Sequence, residues 1–183
     1  KVLASVSIHL NETVHCSTTA GAHDPTSQLP PRPSMDNTTW IDAPRIAILN
    51  RRMTRRLLDS TTISLQLQQR LSLPYKPPVF YFETMSFAEQ MEALTNVDIL
   101  VSPHGAQLSG VFAMPKCGSL IEVFPHGYYK PRFFGSLAKL AGLNYAYIYL
   151  GDDMRTTIHE MRFFKNRKRD RAQNLCTPID RIV

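Results

Sequence analysis

The sequence predicts an α/β fold, an open and mostly parallel sheet with helices on both faces, and three observations predict it. From residue 44 onward, short β-rich runs alternate with segments of helical period. The runs are close to continuously apolar, as strands covered on both faces are. Residues 98–125 pass from an apolar run through a Pro-His-Gly-Ala turn and a short helix-like stretch to a second run holding one carboxylate, Glu122. Strand, glycine turn, helix and acid-bearing strand make half of a nucleotide-binding crossover.

Each element has a local reason. Residues 45–49 form the first strand and end in Asn50-Arg51-Arg52. Asp59 or Ser60 then caps a helix whose Ile63, Leu67 and Leu71 recur at intervals of four. Pro77-Pro78 ends that pattern, and 79–82 is the second strand. Ser86 and Glu89 have capping-box spacing ahead of a helix striped by Phe87, Met91 and Leu94. The third and fourth strands are 98–102 and 120–124. Phe133, Leu137 and Leu140 mark a further helix, with Gly142 placed for a left-handed cap. Residues 144–150 are the fifth strand, with Tyr145, Tyr147 and Tyr149 on one face. A last helix begins near Asp153.

The region ahead of Pro44 differs. Four prolines among serine and threonine make 11–44 an irregular linker or surface loop, although 1–10 has strand character. The expected division is therefore 1–43 as an irregular segment and 44–183 as one α/β domain ending in a basic helix.

Composition narrows the classes. Hydrophobic content of 43% and charged content of 20% exclude general disorder. No apolar run approaches the roughly 20 residues that span a bilayer. The net charge of +6 suits an anionic ligand, a nucleic acid or an anionic membrane without choosing among them. Residues 162–171 hold six basic side chains beside Phe163 and Phe164, which reads as a docked terminal helix more readily than as an RNA or membrane contact. Nucleic acid is accordingly not the expected partner. Cys16, Cys117 and Cys176 lack metal-ligand spacing, and either one disulfide with a leftover thiol or three buried thiols fits them. Asn11 and Asn37 begin glycosylation sequons. The chain starts at Lys1 without a signal-like segment, so it reads as mature or partial, with any membrane anchor outside it.

The chemistry concentrates at three places. The turn at His104-Gly105-Ala106 offers free amides to an anion at the carboxyl edge of a sheet. Arg51, Arg52, Arg55 and Arg56 follow the first strand, and a planar guanidinium suits phosphate oxygens. A parallel sheet opens both loops onto the same edge. Glu122 sits in an apolar strand and therefore requires an accessible end or a donor, either the hydroxyls of a ribose or, as the plainer reading, an ion pair with one of the many arginines. Asp152-Asp153 reads as a turn and helix cap rather than a metal site, and no metal ligand set is expected.

In order along the chain, Ile48-Leu-Asn-Arg-Arg-Met-Thr-Arg-Arg-Leu-Leu-Asp59, Ser86-Phe-Ala-Glu-Gln90, Asp98-Ile-Leu-Val-Ser-Pro-His-Gly-Ala-Gln-Leu108 and Ile121-Glu-Val-Phe-Pro125 resemble glycosyltransferase family 61. The similarity covers about residues 44–150. It implies a Rossmann-like domain, the donor-binding half of a GT-B enzyme of the Golgi or endoplasmic reticulum lumen. The implied reaction is an inverting, metal-independent transfer from a nucleotide sugar, usually a UDP-sugar, to a glycan or glycoprotein acceptor. No cofactor is implied beyond that donor, and an N-terminal acceptor domain would lie outside this chain. By position, the resemblance implies donor-binding roles for Arg51, Arg55, His104, Gly105, Ala106, Gln107, Leu108 and Glu122, with Glu122 on the ribose. The general base is unassigned, His104 being the one weak candidate. Asp59 stands where the family usually has asparagine, Gln107 where it has glycine, and Gly110 where asparagine is common. These departures keep a second expectation open, a non-catalytic module that retains the fold.

Overall fold

The computed structural model describes Leu29, residues 43–162, 164–177 and Ile182. Five strands, β1 (Ile46–Asn50), β2 (Val79–Tyr81), β3 (Ile99–Pro103), β4 (Ser119–Phe124) and β5 (Asn144–Tyr149), form one all-parallel sheet in the order β2-β1-β3-β4-β5. The chain steps outward from β1 to β2, then returns past β1 to β3. The order thus reverses between β1 and β3, which is where open α/β sheets bind ligands beyond their carboxyl ends. The expected strand at 1–10, the sequons at Asn11 and Asn37, and Cys16 lie outside the described residues.

Helices α1 (Ser60–Arg70), α2 (Phe87–Thr95), α3 (Arg132–Leu140), α4 (Met154–Glu160) and α5 (Phe164–Arg171) complete the fold, with a 3₁₀ segment at Ala106–Ala113. Strand alternation sends β1 residues to opposite faces, and both faces are dry. Ala47, Leu49, Leu100 and Leu120 pack with Leu94 of α2, Leu108 and Val111 of the 3₁₀ segment, and Phe134 and Ala138 of α3. Ile46, Ile48, Val101, Val123 and Ile148 pack with Ile63 and Leu67 of α1 and with Leu57 and Leu175. Two-sided burial explains why the strands read as apolar runs rather than as alternating patterns.

The local signals succeed where they concern backbone amides. Ser86 and Glu89 form a complete capping box. Asp153 accepts from the Arg155 and Thr156 amides, which makes it the helix cap. Gly142, with φ of 77°, closes α3 by a paired-bond cap: its N–H donates to Lys139 O, and Leu143 N–H donates to Ala138 O. Asp59 differs: it precedes α1 in a left-handed conformation and makes no side-chain cap.

Three stripe assignments need correction. Leu71 lies past the end of α1 and is exposed, and Phe87 at the start of α2 is 69% exposed. In α3 the expected face is turned by one residue, with Phe133 at 67% and Leu140 at 86% exposure while Phe134 and Ala138 are buried; of the expected stripe Leu137 does pack against the core. The sequence carries two adjacent stripes there. The sheet selects the one with small residues, because Gly135 lies against the Tyr145 ring, where a Cβ would come within 2.6 Å.

Candidate functional site

Asn50, the last residue of β1, organises the loop that follows. Its buried Oδ1 accepts from the Arg51 and Leu57 amides, both at 2.8 Å, and its Nδ2 donates to Leu57 O at 3.0 Å. This clamp folds 51–57 into a tight loop and holds Arg55 at a positive φ of 59°. Such backbone strain persists only where surroundings over-determine it, and it collects at ligand clamps.

The four arginines then separate. Arg52 turns to the β2 side, its guanidinium 5.7 Å from the Tyr81 ring centroid. Arg56 has its amide bonded to Asn174. Arg51 and Arg55 turn toward the β3 turn. Arg55 Nη1 donates to His104 O at 3.0 Å, and Arg51 Nη1 occupies the space that a Cβ at Gly105 would fill. Gly105 has extended backbone, with φ of 172°, so glycine is needed there for room and not for conformation. Ala106 beside it is exposed. The two loops do open onto one edge, at the β1/β3 reversal.

The charge at this edge is uncompensated among the described residues. Among the described residues neither Arg51 nor Arg55 is paired with a carboxylate, and Arg55 Nε is buried without a hydrogen-bond partner. Burial, then the neighbouring Arg51 and Arg171 charges, lower the Arg55 pKa from 12.5 to about 10. Holding like charges together without an anion disfavours the empty site, so an anion binding there relieves an existing strain.

Glu122 and His104 lie on the other side of the turn. Register places Ser102, Glu122 and Tyr147 side by side on β3, β4 and β5. Glu122 is entirely buried, its Oε1 2.5 Å from His104 Nδ1 in a hydrogen bond, and Tyr145 donates its hydroxyl to Oε2 at 2.5 Å. Burial raises the Glu122 pKa despite both partners, and it raises that of Tyr145, which also faces the Glu122 charge. The imidazole is walled by Phe124, Tyr128 and Phe134 at about 5 Å between ring centres. A carboxylate with both oxygens engaged and no exposed surface does not reach a ribose in this conformation. It braces His104.

Gln107 and Leu108 also differ from simple ligand contacts. Gln107 Nε2 donates to Ser102 Oγ at 2.9 Å and to Leu49 O at 3.3 Å, so its amide ties the ends of β1 and β3 together. Leu108 is fully buried in the core, and its amide donates to Gly105 O at 2.9 Å. Neither its side chain nor its N–H is offered to a ligand. The turn therefore enters a 3₁₀ segment, whose first hydrogen bond is already closed at Leu108.

Sequence reasoning did not single out Asn50, Ser102, Tyr128, Tyr145 or Arg171. A polar residue at the end of an apolar strand was the available signal for Asn50 and Ser102. Arg171 stood within the basic run 162–171, but its place depends on how the C-terminal segment returns. Cys117 is an exposed free thiol and Cys176 is disulfide-bonded, which removes the reading of three buried thiols.

The family model described as Glycosyltransferase 61 matches residues 4–121. The chain belongs to glycosyltransferase family 61. The match runs through the arginine loop, the His104 turn and β4 as far as Ile121, stopping one residue short of Glu122. The chain is 31% identical over 107 residues to protein O-linked-mannose beta-1,4-N-acetylglucosaminyltransferase 2 of Xenopus tropicalis. It is 29% identical over 107 residues to the proteins of that name from Mus musculus and Homo sapiens. Each match covers 56% of this chain and 18% of the relative, so this family 61 chain aligns with a minor part of the relatives' length.

Proposed function

We propose that this domain binds the nucleotide-sugar donor, a UDP-sugar, of an inverting and metal-independent glycosyl transfer to a glycan or glycoprotein acceptor. The observation that carries the reading is the uncompensated pair Arg51 and Arg55 against Gly105 at the β1/β3 reversal. In such a transfer the acceptor hydroxyl attacks the anomeric carbon, and the bond from that carbon to the diphosphate breaks. Negative charge then builds on the departing UDP. Two preplaced guanidiniums stabilise that charge in the role a divalent cation plays elsewhere. The names of the relatives supply the first sugar to test, N-acetylglucosamine, and O-linked mannose as the first acceptor.

His104 is better suited to positioning than to acting as general base. It is buried, bonded to Glu122 and surrounded by aromatic rings. Its backbone carbonyl accepts from Arg55, so the Tyr145–Glu122–His104 chain sets the height of the turn against the arginines. The residue that takes the proton of the acceptor hydroxyl is left unassigned. The disulfide at Cys176 supports the lumen of the Golgi or endoplasmic reticulum as its place, since disulfides persist in oxidising compartments. Among the described residues no helix is long and apolar enough to cross a membrane.

One observation favours a non-catalytic descendant as the second reading: the Gln107 amide ties β1 to β3 on the floor of the reversal. Titration calorimetry with UDP and UDP-N-acetylglucosamine tests both readings. The donor-site reading expects UDP binding that Arg51→Ala weakens about tenfold, the loss of one charge-assisted contact. No UDP binding by a folded sample overturns it, and UDP binding gained only in Gln107→Gly identifies the descendant.

A further inference from the structure

The C-terminal segment returns to the site across a sequence separation of 118 residues. After α5 ends at Arg171, residues 172–177 run beside the arginine loop as a strap. Leu175 forms a parallel bridge with Leu57. Its N–H donates to Arg56 O and its carbonyl accepts from Leu58 N–H, both at 2.8 Å. Asn174 Oδ1 accepts from Arg56 N–H at 3.2 Å. Leu175 is fully buried beside Leu57, and Cys176 after it is disulfide-bonded. These bonds hold the strap to the loop that carries Arg55.

A second anchor fixes the end of α5 from the other side. Buried Asp170 packs on the turn at Gly127, which follows β4, so closely that a Cβ on Gly127 would come within 2.7 Å of its carboxyl carbon. Arg169 and Gln173 occupy the Asp170 oxygens. The acid next to Arg171 in sequence is therefore already engaged. Exposed Arg171 has no carboxylate partner among the described residues, yet its charge bears on both Arg55 and Tyr128. Anchored at Gly127 on one side and at Arg56 and Leu57 on the other, the end of α5 brings a third cation to the loop that carries Arg55, and a group of cations suits a ligand with more than one negative charge.

We propose that Arg171 is a third arginine of the anion site, delivered by the 172–177 strap, and that it selects a diphosphate over a monophosphate. The proposal rests on the donor-site reading above and names a residue and a selectivity within it. Arg51 and Arg55 meet the phosphate nearest the His104 turn, and Arg171 reaches the other from the β4 side. Recognition by three forks explains how the site distinguishes a nucleoside diphosphate from its monophosphate without a metal-bridged pair of oxygens.

The test is calorimetry on the full chain with UDP, UMP and inorganic pyrophosphate, comparing wild type with Arg51→Ala, Arg171→Gln and Arg171→Lys. Arg171→Gln is expected to weaken UDP and pyrophosphate about tenfold while changing UMP less than twofold, so the preference for UDP over UMP shrinks. Arg171→Lys, which keeps the charge without the fork, recovers part of the loss. Because Arg171 is exposed, the variant melts with the wild type. If Arg171→Gln retains wild-type UDP affinity while Arg51→Ala loses it, the third arginine is refuted and the donor site stands. An equal loss for UMP and UDP also refutes the selectivity. If wild type binds neither UDP nor pyrophosphate, the donor-site reading itself fails.

Discussion

Two polar regions flank the turn after β3, and they are built on opposite principles. On the β1 side, Arg51 and Arg55 crowd together on a strained loop, and among the described residues one nitrogen is buried without a partner and no carboxylate is paired with either. On the β4 side, His104, Glu122 and Tyr145 are joined by two short hydrogen bonds in a largely dry setting. The first region lacks something that a ligand can supply. In the second, both Glu122 oxygens are already engaged. Buried polar groups that satisfy one another brace a structure, whereas charges held without a partner mark the place where a partner is meant to arrive.

The largest expected effect comes from breaking the satisfied side. Glu122→Ala leaves the His104 ring nitrogen and the Tyr145 hydroxyl without partners, at roughly 1–3 kcal/mol for each group orphaned in a buried setting. Urea denaturation should show a loss of about 3 kcal/mol. A loss below about 1 kcal/mol would mean that the chain is not a brace.

Substitution on the unsatisfied side should do the reverse. Arg55→Met removes a cation whose lowered pKa records a cost in the folded state, so stability holds or rises slightly. On the donor-site proposal, UDP is expected to raise the melting temperature of the wild type and to leave that of this variant unchanged. The sign follows from linkage: between about 10 and 12.5 the unfolded chain holds a proton on Arg55 that the fold has released, so stability rises with pH there. Below that window Arg55 contributes an unfavourable term. A variant that both unfolds and fails to bind would erase the distinction between the two regions.

A finer cut is Gly105→Ala. The backbone there is extended and accepts alanine, but the methyl meets the flexible end of Arg51. The expected result is a fall of several-fold in UDP affinity, with the melting temperature nearly unchanged. A large drop in melting temperature would show that Gly105 serves the fold instead.

The smallest effect is a slope. Glu122 titrates above its ordinary 4.5, so just above that value the fold keeps a proton that the unfolded chain has lost. Its contribution to stability therefore falls as pH rises through that window. The caps Glu89 and Asp153 have lowered pKa values, and their contribution is lost as pH falls. Subtracting the stability profile of Glu122→Gln from that of the wild type cancels the caps. The difference should slope downward with pH, and a flat difference would remove Glu122 from the account.

Much of the fold was legible because its signals are local. The five strands and the helix ends stand within a residue or two of their expected places, since an apolar run, a capping box or a glycine after a helix acts on its own neighbours. The arginines and the glycine turn were legible for the same reason, as residue types at the end of a strand. The α3 face was not, because two adjacent stripes satisfy the helical period equally and only the Tyr145 ring, packed on Gly135, separates them. Glu122 required a partner on sequence grounds alone, but the partners are His104 and Tyr145 and not the expected arginine, because register across three strands decides what lies beside it.

By itself, then, the sequence determined the alternation of strands and helices, the arginine pair and the β3 turn. The tertiary structure alone decided the β2-β1-β3-β4-β5 order that brings the pair to the turn. It also decided the closure of Glu122 onto His104 and the return of Arg171. The physical reason is distance along the chain. Periodicity and capping act within a few residues, while charge and packing act through space, and only the folded sheet sets what is near in space.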